Sequence, residues 1–173
     1  MIIGLTGQCG TGKDTIAQYL VSKGYKQVAF ADKLKEIIAI ITGWSRSQID
    51  GLTEESRIFR ETIKHPIYNL TCRELLIKVG NDMFRNMLHP DIWVNLIDLH
   101  HKRESGDLIV VSDIRYTNEV VRLRQSKDFI LIQVGENPVL DEDIKSDIIV
   151  LNNGTKEELY AKIDAIIYGI GKL

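Results

Sequence analysis

Cysteine is scarce in this chain of 173 residues: only Cys9 and Cys72 occur. One sits in a glycine-rich stretch and the other in a helical pattern, so neither a disulfide framework nor a zinc site is indicated. An excess of either charge is also missing. Twenty-two Lys and Arg face 24 Asp and Glu, a formal net charge of −2. That balance does not suit a protein whose task is coating nucleic acid, and no basic stripe with interleaved aromatics is present. There is no apolar run of about 18 residues to span a membrane. The start, MIIGLTG, has no basic segment ahead of an apolar core, so no secretory signal is evident. Together these absences lead us to expect a cytoplasmic protein. The four histidines, His65, His89, His100 and His101, lack the His-x₃-His spacing of a metal hydrolase. Internal repeats and low-complexity tracts are absent. At 44% hydrophobic and 27% charged residues, what remains is an ordinary globular chain long enough to bury its own core.

Short β-rich runs alternate with helical stretches. Strands are expected at Met1–Thr6, Lys26–Phe30, Asp107–Ser112, Phe129–Val134 and Ile148–Leu151. Helices are expected at Lys13–Lys23, Ala31–Gly43, Thr53–Arg60, Thr71–Leu88, from Pro90 to about Lys102, and at Thr117–Ser126. The helix Ala31–Gly43 carries Leu34, Ile37, Ile38 and Ile41 on one face. Within Thr71–Leu88 the 3.6-residue period aims Cys72, Leu75, Leu76, Val79, Met83 and Met87 at a core, with Gly80-Asn81 able to bend the helix. A final helix opens on the capping box Thr155…Glu158. Strands alternating with helices imply an α/β fold, a parallel sheet with helices on both sides. Residues from about 44 to 104 hold helices and no strand. We therefore read the chain, 1–173, as a single domain with a helical insertion there. The acidic stretch 136–147 reads as a solvated loop.

The most specific motif is Gly7-Gln8-Cys9-Gly10-Thr11-Gly12-Lys13-Asp14-Thr15, which follows a strand and opens a helix. That is the setting of a phosphate-binding loop. Glycines let the backbone curl so that amides and the helix N-terminus face anionic phosphates, and Lys13 adds a positive charge. The position after the lysine, where Ser or Thr would ligate Mg²⁺, is Asp14. A carboxylate is a hard ligand for that ion, directly or through water, so Asp14 is expected to act as a metal-shell group or an orienting base. No Asn-Lys-x-Asp segment of a GTPase switch follows.

Three further segments carry candidates. The run Leu108–Ser112 ends in Asp113, with Arg115 two residues on, and Glu119 lies in the next helical turn. In an open parallel sheet, sites form at the carboxyl ends of strands, which sets Asp113 beside the phosphate loop and lets Arg115 reach a phosphoryl group. Asp32, Lys33 and Lys35 follow the second strand and could hold an acceptor's phosphate or sugar. In the helical insertion, Arg73 could clamp a monophosphate with two prongs. Trp93 could stack on a base or belong to the core.

The segments TGQCGTGKDT, FADKLKE, TCRELLIKVGNDMFR with DIWV, SDIRYTNEV and LNNGTKEELY, in this order from Gly7 to Tyr160, resemble the phage deoxynucleoside monophosphate kinase family. The Gly-Lys-Asp-Thr form of the loop is a trait of that family. The resemblance implies a P-loop NTPase three-layer fold, with a five-stranded parallel sheet of order 2-3-1-4-5. It implies an enzyme that moves the γ-phosphate of ATP, with Mg²⁺, to a small-molecule deoxynucleoside 5′-monophosphate, as a monomer or homodimer and, if phage-encoded, in the host cytoplasm. On matching positions, Gly7 to Thr15 would hold ATP, with Asp14 and Thr15 at the metal. Lys13, Asp14, Arg73, Asp113 and Arg115 would be the catalytic set. Asp32, Leu34, Lys35, Arg73, Trp93, Asp113, Arg115 and Glu119 would border the acceptor. Where this chain has Gly80-Asn81-Asp82 the family often has Gly-Thr-Asp or Gly-Thr-Glu, so no role is carried to Asn81. Two other readings follow from the same loop. One is a kinase resembling dephospho-coenzyme A kinase, whose loop usually ends Gly-Lys-Ser or Gly-Lys-Thr. The other is a nucleotide-binding regulatory module with no acceptor.

Overall fold

A strand buried at every position needs cover on both faces of its sheet. Ile2–Thr6 (β1) is such a strand, with Thr6 its one polar side chain. The computed structural model describes residues 1–100, 107–140 and 144–170. In it β1 is the middle strand of a five-stranded, all-parallel sheet of order β2-β3-β1-β4-β5. β3 (Ile109–Val111) is buried throughout and pairs Ile3 with Val110, while β4 (Phe129–Val134) pairs Ile3 with Ile130. The edge strands β2 (Lys26–Val28) and β5 (Ile148–Val150) each carry exposed positions, as strands with one free side can. The parallel sheet and its order match the expectation.

The chain divides into two compact units, Met1–Ala29 with Lys102–Leu173, and Phe30–His101. In the first, Ile3 and Leu5 pack with Ile16, Ala17 and Leu20 of α1 (Lys13–Ser22) and with Leu159 and Ile163 of the C-terminal helix, Lys156–Ile170. The capping box that starts this last helix is formed. Thr155 N–H donates to Glu158 Oε2 at 3.0 Å and Glu158 N–H to Thr155 Oγ1 at 3.2 Å. Tyr25 belongs to the same core and is 4% exposed, yet its hydroxyl has no hydrogen-bond partner among the described residues. An orphan buried hydroxyl costs about 1–3 kcal/mol. Tyr25→Phe is therefore expected to raise the urea midpoint by the equivalent of about 1 kcal/mol; a lowered midpoint contradicts this.

The second unit opens with α2 (Asp32–Thr42), which buries Leu34 and Ile38 and stops at Gly43 in the left-handed conformation. Ile41 at its end is 41% exposed rather than part of the buried stripe. Two short helices follow, α3 (Arg46–Asp50) and α4 (Glu54–Thr62). α3 was not expected, although Ser45-x-x-Gln48 is a capping-box pattern. Ser45 N–H donates to Gln48 Oε1 at 2.9 Å and Gln48 N–H to Ser45 Oγ at 3.4 Å. α5 (Cys72–Ile77) runs into a π-helical stretch, Lys78–Leu88, and α6 spans Ile92–His100. The π geometry corrects the 3.6-residue period expected throughout Thr71–Leu88. Hydrogen bonds to the fifth residue back, such as His89 N–H to Phe84 O at 2.9 Å, widen the turn. Successive positions then rotate steadily away from where a 3.6-residue period puts them, and Met83 and Met87 are 50% and 82% exposed. The expected end of the next helix near Lys102 and residues 141–143 of the acidic stretch lie outside the described residues. α7 (Thr117–Leu123) follows β3, and α8 is the C-terminal helix. None of the helices among the described residues is long and apolar enough to cross a membrane.

Candidate active site

Between the end of β1 and the start of α1 the chain makes a tight loop, and its shape depends on glycine. Gly7 has φ +137° and Gly12 φ +104°, conformations that side chains rarely adopt. Space is also lacking. A Cβ on Gly7 would lie 2.3 Å from the main-chain oxygen of Val134, and one on Gly12 would lie 2.5 Å from Asn152 Nδ2. The Gly7 clash is with backbone at the end of β4, so no rotamer relieves it. Gly7→Ala is expected to lower stability by about 1–3 kcal/mol from the backbone conformation alone. Chemical denaturation measures it, and an unchanged midpoint contradicts it.

The loop closes around Lys13. Its Nζ donates to Gly7 O at 2.8 Å and to Gln8 O at 2.6 Å. Thr11 Oγ1 donates to Gln8 O at 2.9 Å. Gly12, at the N-cap of α1, has no side chain to cap the first-turn amides, which leaves them for an anion. Gln8, Cys9, Gly10 and Asp14 are exposed at the mouth. Burial pushes the Lys13 ammonium below the usual lysine pKa. Asp14 pushes it back, Arg115 lowers it further, and Cys9 and Asp113 act in the upward direction.

Those electrical effects reflect how the chain beyond β3 is stitched to β1. Ile114 N–H donates to Leu5 O at 3.2 Å, and Thr6 Oγ1 donates to Ile114 O at 3.1 Å. Asp113 and Arg115 flank that anchor, so their charges act on Lys13. Arg115 is exposed and Asp113 half-buried. Glu119 lies beneath them at 1% exposure. Its Oε2 accepts from the backbone N–H of Arg115 at 2.8 Å and of Tyr116 at 3.1 Å. Glu119 thus fixes the turn that carries Arg115 rather than lining a surface.

Sequence reasoning missed two residues here. Asn152 follows β5 and donates from Nδ2 to Thr11 O at 3.0 Å, bracing the loop from the far side. Gln133, buried in β4, donates from Nε2 to Gly135 O at 3.1 Å and Glu136 O at 3.2 Å. The signal for Asn152 was its place at the carboxyl end of a strand, within a segment already matched to the family.

The second unit holds the other candidates. Asp32 and Lys35 lie in the first turn of α2. Arg46 Nη2 meets Asp32 Oδ1 at 3.2 Å, and Lys35 Nζ meets Asp50 Oδ1 at 2.8 Å. Leu34 is buried, and its Cδ2 would lie 2.7 Å from a Cβ on Gly80. Trp93 is 3% exposed. Its indole N–H donates to Gly80 O at 3.1 Å and its ring lies 5.1 Å from that of Phe84. Trp93 is therefore packed inside this unit, touching the π-helical stretch. Arg73 is exposed at the start of α5 and pairs with Glu61 Oε1 at 3.1 Å.

The donors near the loop suit Mg²⁺. Asp14, Thr15 and Asp113 offer hard oxygens, and no cluster of three His, Cys, Asp or Glu ligands occurs among the described residues. Mg²⁺ takes one or two protein ligands and completes its shell with water and substrate phosphates, so a sparse oxygen set fits it better than a cage would.

A parallel sheet in this order, a glycine loop joining its middle strand to a helix, a lysine gripped by that loop and an Asp after the neighbouring strand define a P-loop nucleotide-binding fold. A protein of Acanthamoeba polyphaga mimivirus provisionally named a deoxynucleotide monophosphate kinase is 31% identical over 186 residues, covering 94% of each chain. The chain belongs to the deoxynucleoside monophosphate kinase family of P-loop kinases. The deoxynucleoside-5′-monophosphate kinase of Escherichia phage T5 is 23% identical over 205 residues, covering 85% of this chain and 82% of its own. A dephospho-CoA kinase of Fusobacterium nucleatum is 25% identical over 195 residues and 95% of each chain. Among solved structures, Thermus thermophilus TT1252 shares the fold with a TM-score of 0.54 at 19% identity, covering 98% of this chain and 97% of its own. No protein-family model matches the chain.

Proposed function

We propose that this protein transfers the γ-phosphate of ATP to the phosphate of a deoxynucleoside 5′-monophosphate, releasing ADP and the deoxynucleoside diphosphate. An oxygen of the acceptor phosphate forms the new bond to the γ-phosphorus. The bond to the β–γ bridging oxygen breaks, and its electrons leave with ADP. The observation that carries the reading is the Lys13 ammonium, held by two loop carbonyls and acted on electrically by Asp14, Asp113 and Arg115. Names of the viral relatives support the choice of acceptor.

Such a transfer needs positioning and charge stabilisation more than covalent help. The amides of Gly7 to Thr15 hold the donor phosphates, and Lys13 turns from the loop carbonyls toward them. Asp14 and Thr15 hold Mg²⁺, which when bound offsets charge on the donor phosphates. Arg115 stabilises charge on the group in transit, and Asp113 faces the reacting phosphates. Arg73 leaves its exposed pair with Glu61, which costs little, to grip the acceptor phosphate. Asp32 and Lys35 border the acceptor. Leu34 and Trp93 shape that border through Gly80, and Glu119 acts through Arg115. The whole chain works as one kinase domain, with residues from about 44 to 104 as its acceptor-binding insertion.

The dephospho-CoA kinase relative favours a second reading, a related kinase with a different acceptor. The Asp after Lys13, where such loops usually carry Ser or Thr, speaks for the first. An ADP-release assay with ATP and Mg²⁺ separates them. We expect turnover with deoxynucleoside monophosphates; turnover with dephospho-coenzyme A alone would overturn the proposal.

A further inference from the structure

The two charges assigned to the acceptor at the start of α2 are tied into a cluster with α3. Asp50 Oδ1 receives Lys35 Nζ at 2.8 Å and Arg46 Nη2 at 3.1 Å. Asp50 Oδ2 accepts from Arg46 Nε at 3.4 Å. The same guanidinium donates to the Asp32 carboxylate at 3.2 Å and to the Asp32 main-chain oxygen at 3.3 Å. From α4, Arg60 Nη1 donates to the Asp50 main-chain oxygen at 3.4 Å. Lys35 and Asp50 are 20% and 19% exposed, so their pair is less screened than a surface one. Burial pushes the Asp50 carboxyl up, but Lys35 and Arg46 more than offset it and hold it below the usual carboxylate range.

An Arg and Asp four apart on one helix are an ordinary surface pair. This arginine does more, since it reaches back 14 residues to grip both the side chain and the main chain of Asp32. α3 has only five residues, too few to stand as a helix without such partners.

We propose that Arg46 and Asp50 are positioning residues for the acceptor: Asp50 fixes Lys35, Arg46 fixes Asp32, and the first turn of α2 presents one cation and one anion at set points to the incoming nucleotide. The inference rests on the reading of function given above. Without Asp50 the two cations lose their shared anion and repel each other. Lys35 then regains its rotamers, and acceptor binding must order it again. The phosphate loop takes no part, so the donor is not affected.

Steady-state kinetics with donor and acceptor each varied tests this on Asp50→Asn, Arg46→Gln and Arg46→Lys beside the wild type. Asp50→Asn and Arg46→Gln should raise the acceptor KM about 5- to 20-fold, as lost positioning by half-buried pairs does. The ATP KM should stay within about twofold of wild type. Arg46→Lys, which keeps the charge and loses the two-pronged grip, should fall between. If Asp50→Asn fails to fold, Arg46→Lys carries the same test. An acceptor KM unchanged in folded variants overturns the inference, as do equal rises in both KM values with a lowered melting temperature. A wild type that phosphorylates no deoxynucleoside monophosphate overturns the reading of function and this inference with it. An active wild type with unaffected variants overturns the inference alone.

Discussion

Lys13→Ala should cut kcat by a factor of about 10²–10⁴, the range for losing one charge-stabilising contact in a closed site. The ammonium sits 2.8 and 2.6 Å from two loop carbonyls, and burial has already removed part of its water. A cation in that state meets a phosphate without first shedding a full hydration shell, which is why its loss weighs more than loss of a surface lysine. The same removal loosens the loop, because Gly7 O and Gln8 O lose their shared donor. ATP binding should therefore weaken along with turnover. Lys13→Arg should not restore activity, since a planar fork cannot replace a compact ammonium inside so tight a turn. Turnover within tenfold of wild type in Lys13→Ala would contradict the role.

Arg115→Ala should cost a similar factor, about 10²–10⁴ in kcat, but with a different signature. Its side chain is exposed, so folding does not depend on it, while its backbone N–H is pinned by the buried Glu119 carboxylate at 2.8 Å. An exposed side chain on a fixed turn can meet charge that develops during transfer and contribute little to ground-state binding. The ATP KM should accordingly stay near wild type while kcat falls, the pattern of a contact made chiefly in the transition state. Normal turnover in this variant would remove Arg115 from the catalytic set.

What the sequence made legible was local. The phosphate loop could be read because its glycines, its lysine and its strand-to-helix setting are contiguous. Strand order was not written in any local pattern; it was expected from the family resemblance, and the sheet has that order. Asp113 and Arg115 were readable from their place after a strand. The side-chain partners were not. Arg46 joins Asp32 across 14 residues, and no spacing rule points to such a pair. Trp93 and Glu119 each fall on a helix where periodicity allows either burial or exposure, and only packing decides. Met83 and Met87 were misjudged because a 3.6-residue period was assumed where the backbone takes the wider π turn. Two capping boxes show both outcomes: Thr155…Glu158 was read and is formed, whereas Ser45…Gln48 was equally visible and passed over.

The most direct test of the account is to identify the product from a single mixture. The protein is incubated with ATP, Mg²⁺, the deoxynucleoside monophosphates and dephospho-coenzyme A together, and the phosphorylated species are resolved by mass spectrometry. Our account predicts one or more deoxynucleoside diphosphates in step with ADP. Coenzyme A as the sole new phosphorylated product, or ADP formed with inorganic phosphate alone, would contradict it.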